Sequence, residues 1–269
     1  MPIFLDRHDL TGVSAADIAE AHRKDLEIEY QYGVRFLTYW FDEGRRRAFC
    51  LIDAPDAETA MRVHDEAHGE VAQDIIEVDL SAVEAFLGRV SDPPAGSFAT
   101  EKIDSALRTI MFTDIVDSTA MTARLGDARS VELVRAHDSL VRRALRNQRG
   151  REVKHTGDGI MASFDDAAAG VECARAIQQS FDAFNLASKE KLRVRIGLDA
   201  GEPVADSNDL FGSTVQLAAR LCQSALPEQI LVSDQIHQLV GDRVALQDAG
   251  ERDMKGFSRP VRVFDAAWR

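Results

Sequence analysis

Two acids in the second half of the chain stand where they could hold hard cations. Asp114 closes the run Arg108-Thr109-Ile110-Met111-Phe112-Thr113-Asp114-Ile115-Val116-Asp117-Ser118-Thr119. Asp158 lies inside Val153-Lys154-His155-Thr156-Gly157-Asp158-Gly159-Ile160-Met161. In both, an apolar stretch delivers an aspartate to a point where the chain must turn. Two carboxylates on neighbouring strands suit Mg²⁺ or Mn²⁺, which take few protein oxygens and leave room for phosphate. A second set lies near the start: His8, His22, His64 and His68, with Cys50. His64 and His68, at i and i+4, can share one helix face. Imidazoles and a thiolate suit Ni²⁺, Zn²⁺ or Cu.

The elements that must carry these residues fall into two segments. Val90-Ser91-Asp92-Pro93-Pro94-Ala95-Gly96-Ser97 breaks both periodic patterns. We therefore expect a first domain over 1–89, a linker over 90–104 and a second domain over 105–269. The first reads strand Ile3–Arg7, a helix capped by Ser14 and running to about Tyr30, and a hairpin of Val34–Phe41 with Ala48–Ile52. An Asp56-capped helix ended by Gly69 and a strand Ile75–Val78 complete it. That βαββαβ order predicts a ferredoxin-like α+β sandwich. The second repeats the order with longer parts: strand Ala106–Ile115, helix Ala128–Asn147 with Val131, Val134, Val141 and Leu145 along one side, and a hairpin of Glu152–His155 with Gly159–Phe164. Helix Ala167–Phe184, strand Leu192–Leu198, helix Thr214–Gln223 and strands Ile230–Val232 and Val261–Phe264 follow. It reads as a helix-covered antiparallel sheet with additions.

Bulk properties exclude several classes. A hydrophobic content of 45% in 269 residues indicates packed globular domains. The net charge of −13 argues against a sequence-independent nucleic-acid binder, so no nucleic-acid partner is expected. Cys50, Cys173 and Cys222 form no CxxC pair and suit a reducing compartment. No apolar run reaches membrane-span length, and Met1-Pro2-Ile3-Phe4-Leu5-Asp6-Arg7 lacks the order of a signal peptide, so a cytoplasmic protein without membrane attachment is expected. No GxGxxG or GxxxxGK pattern is present, which argues against Rossmann and P-loop sites.

Phe112-Thr113-Asp114-Ile115-Val116-Asp117-Ser118-Thr119, Lys154-His155-Thr156-Gly157-Asp158-Gly159 and Asp209-Leu210-Phe211-Gly212 with Ala218-Ala219-Arg220-Leu221 resemble the signatures of class III nucleotidyl cyclases. The resemblance implies two metal ions per active site held by Asp114, Asp158 and the Ile115 carbonyl. It implies that Lys154 and Asp209 read the base. An ammonium and a carboxylate match adenine's acceptor and donor, whereas guanine would set an acceptor against Asp209. Arg220 matches the arginine that steadies phosphate charge, and Lys255 the lysine that meets the terminal phosphates. Gln216 departs from the asparagine usual in the family, which orients the ribose; its extra methylene moves the amide by roughly 1.5 Å, so either the helix is set back to compensate or turnover falls by about a hundredfold. The family pairs its catalytic halves across a head-to-tail homodimer, and this chain carries both halves once.

Asp6-Arg7-His8-Asp9-Leu10, Phe49-Cys50-Leu51 and His64-Asp65-Glu66-Ala67-His68-Gly69 resemble a small ferredoxin-like family that includes a bacterial nickel-binding protein. This implies a regulatory first domain that takes Ni²⁺ or another transition metal; the alternative is a dimerisation domain with packed histidines. The combined reading is an adenylate cyclase converting ATP to 3′,5′-cyclic AMP and pyrophosphate. Its rivals are a guanylate cyclase and a catalytically silent nucleotide- or metal-binding sensor.

Overall fold

A computed structural model describes residues 1–92, 104–203 and 210–269. Residues 93–103 of the expected linker, and Asp209 of the base-reading pair, lie outside the described residues. The chain divides into two compact units, Met1–Leu107 with Glu202–Gly212, and Arg108–Gly201 with Ser213–Arg269.

The first unit runs β1 (Ile3–Asp9), α1 (Ala15–Ile28), β2 (Arg35–Asp42), β3 (Arg47–Asp53), α2 (Ala57–Ala67), β4 (Asp74–Val78) and α3 (Leu80–Leu87). Its strands order as β2-β3-β1-β4, and every pair is antiparallel. That is the expected ferredoxin-like sandwich, with α3 as an unanticipated addition capped by Asp79. A capping box opens α1: Ser14 Oγ accepts from the Asp17 amide and the Asp17 carboxylate accepts from the Ser14 amide. Asp56 caps α2 by accepting from the Thr59 amide at 2.7 Å. Phe36, Tyr39, Phe41, Cys50 and Ile52 from the sheet pack on Ile18, Ala60 and Val63 from the helices.

The second unit runs β5 (Arg108–Ile115), α4 (Ser118–Leu125), α5 (Asp127–Asn147), β6 (Arg151–His155), β7 (Ile160–Phe164), α6 (Ala167–Ala187), β8 (Val194–Gly201), α7 (Gly212–Ser224), β9 (Ile230–Ser233), α8 (Asp234–Val240), β10 (Gln247–Arg252) and β11 (Val261–Asp265). Among the described residues the sheet orders as β10-β11-β9-β8-β5-β7-β6. One expectation fails here: β8 and β9 pair in parallel, so the sheet is mixed. The crossover through α7 explains it, because a helix between two strands returns the chain to start in the same direction. The α5 stripe also differs from expectation. Val131 is 48% exposed, whereas Leu133, His137, Val141, Ala144 and Leu145 are buried. The helix begins after Gly126, whose φ of +77° breaks it from α4, and its phase puts His137 inward. No helix of the described residues is long and apolar enough to cross a membrane.

Candidate active site

β5 carries Asp114 and Ile115 at its end, and the β6–β7 hairpin brings Asp158 beside them. Gly159 permits the approach: a Cβ there would lie 1.9 Å from the Thr113 carbonyl oxygen. Gly157, at φ +96°, turns the chain where an L side chain would be strained. The Ile115 amide then donates to the Asp158 carbonyl at 3.2 Å. Ser118 Oγ, in the first turn of α4, donates to the Asp158 carboxylate. The sequence-predicted trio Asp114, Ile115 and Asp158 is therefore brought together. Burial, with help from the neighbouring Asp158 charge, raises the Asp114 carboxyl above its usual range, although Arg195 pulls it down.

Arg195 was not foreseen as a site residue. It stands opposite Asp114 on β8, and its Nε and Nη2 lie 2.7 and 2.6 Å from Asp114 Oδ2. Its Nη1 donates to the Gln223 carbonyl in α7 at 2.9 Å. The signal was present as an arginine inside the apolar run Val194–Leu198, but strand register, which sets it against Asp114, is not written in one segment.

Strand alternation sorts the remaining residues by face. Ile160, paired with His155, lies in the core under α5 and α6. Lys154, next along β6 and paired with Met161, projects from the opposite face. Phe112 pairs with Met161 and with Gly197, so Asp114, two residues on from Phe112, shares the face of Lys154. The same face receives α7, because a Cβ on Gly197 would meet the Cys222 amide nitrogen at 2.1 Å. One side of the sheet thus offers Asp114, Arg195 and Lys154, with Gln216 and Arg220 one turn apart on α7. Lys154, Gln216 and Lys255 are exposed, and Arg220 donates to the Gln223 side chain at 2.8 Å. Among the described residues no hydrogen bond joins Lys154, Gln216, Arg220 or Lys255 to either carboxylate.

Residues 100–264 match the family described as Adenylate and Guanylate cyclase catalytic domain. The chain belongs to that family. A putative adenylate cyclase 3 of Rhizobium meliloti is 31% identical over 170 residues, which is 62% of this chain and 29% of that protein. An adenylate/guanylate cyclase/hydrolase structure from Silicibacter pomeroyi is 33% identical, with TM-score 0.53, covering 60% of this chain and 96% of that one. The adenylyl cyclase CyaB from P. aeruginosa shares the fold at TM-score 0.53 and 23% identity, covering 60% of this chain and 93% of that one. The chain spans 29% to 40% of the length of the first curated relatives it matches.

Ahead of this cyclase domain, residues 4–78 match the family described as Nickel responsive protein SCO4226-like. There the structure gathers Asp6, His8, Cys50 and His64, all buried, with potential ligand atoms within 4.8 Å of one another. Asp25, His64 and His68 form a second such group. Sequence reasoning missed Asp6 and Asp25. Asp6 precedes His8 by two on β1, so strand alternation puts both on one face. His64 is the hub: its Nε2 lies 2.8 Å from Asp6 and its Nδ1 3.1 Å from Asp25. Burial opposes a charge on His8, yet Asp6 prevails and raises it to about 10. His64 is also raised, against its own burial, by Asp6 and Asp25. Asp6 would be raised by its burial but is held far below the usual carboxylate range by His8 and His64. His22 stands apart from both groups, its Nε2 2.9 Å from Asp92.

Proposed function

We propose that this chain is an adenylate cyclase, converting ATP to 3′,5′-cyclic AMP and pyrophosphate in a homodimer with two composite sites. The observation that carries the reading is the convergence of Asp114, Ile115 and Asp158 beside Arg195. Two neighbouring carboxylates, with Asp158 helping to raise the Asp114 carboxyl and a backbone carbonyl nearby, fit a pair of Mg²⁺ or Mn²⁺ ions. When bound, such ions acidify the ribose 3′-hydroxyl and offset phosphate charge.

The chain's own residues supply the rest. Asp114 and Asp158 hold the ions, and the Ser118 hydroxyl keeps the Asp158 carboxylate turned toward β5. Arg195 is the cation already at the site and can pass from Asp114 to a phosphate oxygen, keeping a donor on Gln223. Arg220 and Lys255 meet the phosphates from the partner's half of a composite site. Lys154 donates to the adenine ring nitrogen while Asp209 accepts from the exocyclic amine. GTP is disfavoured because its carbonyl oxygen would face Asp209. Gln216 takes the ribose-orienting place.

The linker at 90–104 joins this domain to a first domain read as a metal-responsive regulator. Its two imidazoles, thiol and carboxylate fit Ni²⁺ or another transition metal, and binding would release the protons that Asp6 holds on His8 and His64.

The test is turnover of wild type beside Asp114→Ala with ATP and with GTP, each with Mg²⁺ and Mn²⁺. The reading expects cyclic AMP from wild type and none above background from the variant. Equal product from Asp114→Ala would sink it, and preference for GTP would transfer it to a guanylate cyclase.

A further inference from the structure

Four side chains tie the β6–β7 hairpin to β5 through helix α5, and none of them touches the site itself. Thr113 Oγ1 lies 3.3 Å from His137 Nε2. His137 Nδ1 lies 3.0 Å from Asp138 Oδ1. Asp138 is also met by His155 Nε2, at 3.1 Å from Oδ1 and 3.0 Å from Oδ2. The chain ends where the Gly157 amide donates to His155 Nδ1 at 3.2 Å. Its two ends are Thr113 and Gly157, the residues immediately before Asp114 and Asp158.

The hydrogen positions follow from the partners. The Gly157 amide can only donate, so His155 Nδ1 is the acceptor and Nε2 carries the hydrogen that Asp138 receives. Asp138 also receives from His137 Nδ1, which leaves His137 Nε2 to accept from the Thr113 hydroxyl. Every donor finds an acceptor along the chain. His137 is fully buried with its ring tilted against Phe181, centroids 5.6 Å apart, so that end is held by packing. Burial would raise the Asp138 carboxyl, but the two histidines hold it below the usual range. Thr113 contributes a further tie, accepting from the Ile160 amide at 3.0 Å.

We propose that His155, anchored by Asp138, is a positioning residue that sets Asp158 for metal binding. It acts at the Gly157 amide, one residue from the carboxylate, in a turn held otherwise, among the described residues, by the backbone bond from Thr156 to Gly159, the Ile115 amide on the Asp158 carbonyl and the Ser118 hydroxyl on the Asp158 carboxylate. The same anchor turns His155 toward α5, and strand alternation then sends Lys154 to the open face. Groups that orient a metal ligand from outside its coordination shell commonly govern affinity as strongly as that implies. The inference rests on the cyclase reading only for the identity of Asp158 as a ligand.

The experiment titrates Mn²⁺ into the full chain, following loss of the free-ion EPR signal, for wild type, His155→Ala, His155→Asn and His155→Gln. Thermal midpoints and kcat and KM for ATP are measured alongside. Asn places Oδ1 where Nδ1 accepted from Gly157, whereas Gln replaces only the Nε2 donor to Asp138. His155→Ala is expected to weaken Mn²⁺ binding by about tenfold, lowering kcat more than it raises KM for ATP. His155→Asn should return to within about threefold of wild type, and His155→Gln should not. Wild-type Mn²⁺ binding in His155→Ala overturns the proposal, as does equal weakening in Asn and Gln. If His155→Ala does not fold, the Asn and Gln comparison decides alone. Wild type that binds Mn²⁺ but makes no cyclic nucleotide would defeat the cyclase reading and leave this inference standing.

Discussion

The molecule holds two carboxylate clusters that solve opposite problems. At Asp6 and Asp25 in the first unit, buried acids are matched by buried imidazoles, and the cluster is electrically closed. At Asp114 and Asp158 in the cyclase domain, half-exposed acids lie side by side, and among the described residues Arg195 is the cation that pairs with one of them. Burying an ion pair costs several kcal/mol per charge, so the first cluster persists only because each acid has partners of good geometry. The second is left short of positive charge on a face open to solvent. A closed cluster suits a site that senses or stabilises. An electron-rich open one suits chemistry on a polyanion that arrives with its own cations.

The sharpest break in that comparison is Asp158→Asn. It removes one negative charge and keeps an acceptor for Ser118, so the fold should lose nothing and the Asp114 carboxyl should fall toward its usual range. Turnover should drop by about 10⁴-fold, since metal stabilisation of the transition state is worth several kcal/mol and each 1.36 kcal/mol is tenfold. A cyclic AMP assay at saturating Mn²⁺ checks it; a loss under tenfold would mean that Asp158 is a turn residue.

The counterpart is His64→Ala, which should act on folding rather than chemistry. Asp6 and Asp25 would keep His8 and His68 but lose the imidazole between them, at a cost of about 4 kcal/mol. Urea unfolding followed by Trp40, fully buried in the first unit, reads this in a Trp268→Phe background. A change below about 1 kcal/mol, typical of exposed pairs, would show that the cluster is not closed as described.

Asp199 tests whether open and closed exhaust the possibilities. It is buried on β8 with the Ser233 hydroxyl donating at 2.5 Å, and burial pushes its carboxyl up to about 6 despite that bond. The neutral acid is therefore favoured in the folded state. Its contribution is intact below the ordinary value of 3.8 and is lost as pH rises through about 6. Wild type should lose up to about 3 kcal/mol of stability across that window, and Asp199→Asn should not, since two pKa units carry about 1.4 kcal/mol each. Thermal melts on either side of the window check it; parallel pH profiles would refute the assignment.

The two clusters also differ in how far the sequence reveals them. Asp114 and Asp158 were legible because each ends an apolar strand run next to a turn, a local pattern. His64 and His68 were legible as an i, i+4 pair. Arg195 and Asp25 were not, since their roles come from strand register and from α1 packing on α2, which pair residues far apart in the chain; Asp6 was marked only by its place two before His8 on β1. The ferredoxin-like order of the first unit followed from element types alone. The parallel β8–β9 pair did not, because the direction of a strand that returns through a helix is set by the crossover and not by its own residues. Val131 misled for a similar reason: hydrophobicity marked it as core, but the break at Gly126 sets the phase that exposes it.

The smallest effect comes from Gln216, where the open site departs from its family. The residue is exposed on the α7 face that also carries Arg220, one turn on, and Gly197 already lets the α7 backbone sit against β8. With α7 packed this closely, the helix has no slack to retreat by the length of a methylene. If Gln216 takes the ribose-orienting place proposed for it, the longer amide must fold back to reach the sugar, which costs rotamer freedom rather than a contact. Gln216→Asn should then raise kcat by about tenfold, less than the full penalty of a 1 Å misplacement because the flexible side chain recovers part of it. KM for ATP should stay nearly constant, since the amide orients the sugar without adding a charge. Steady-state kinetics with ATP and Mn²⁺ measure this, and a fall in kcat would show that the cyclase domain is built around glutamine.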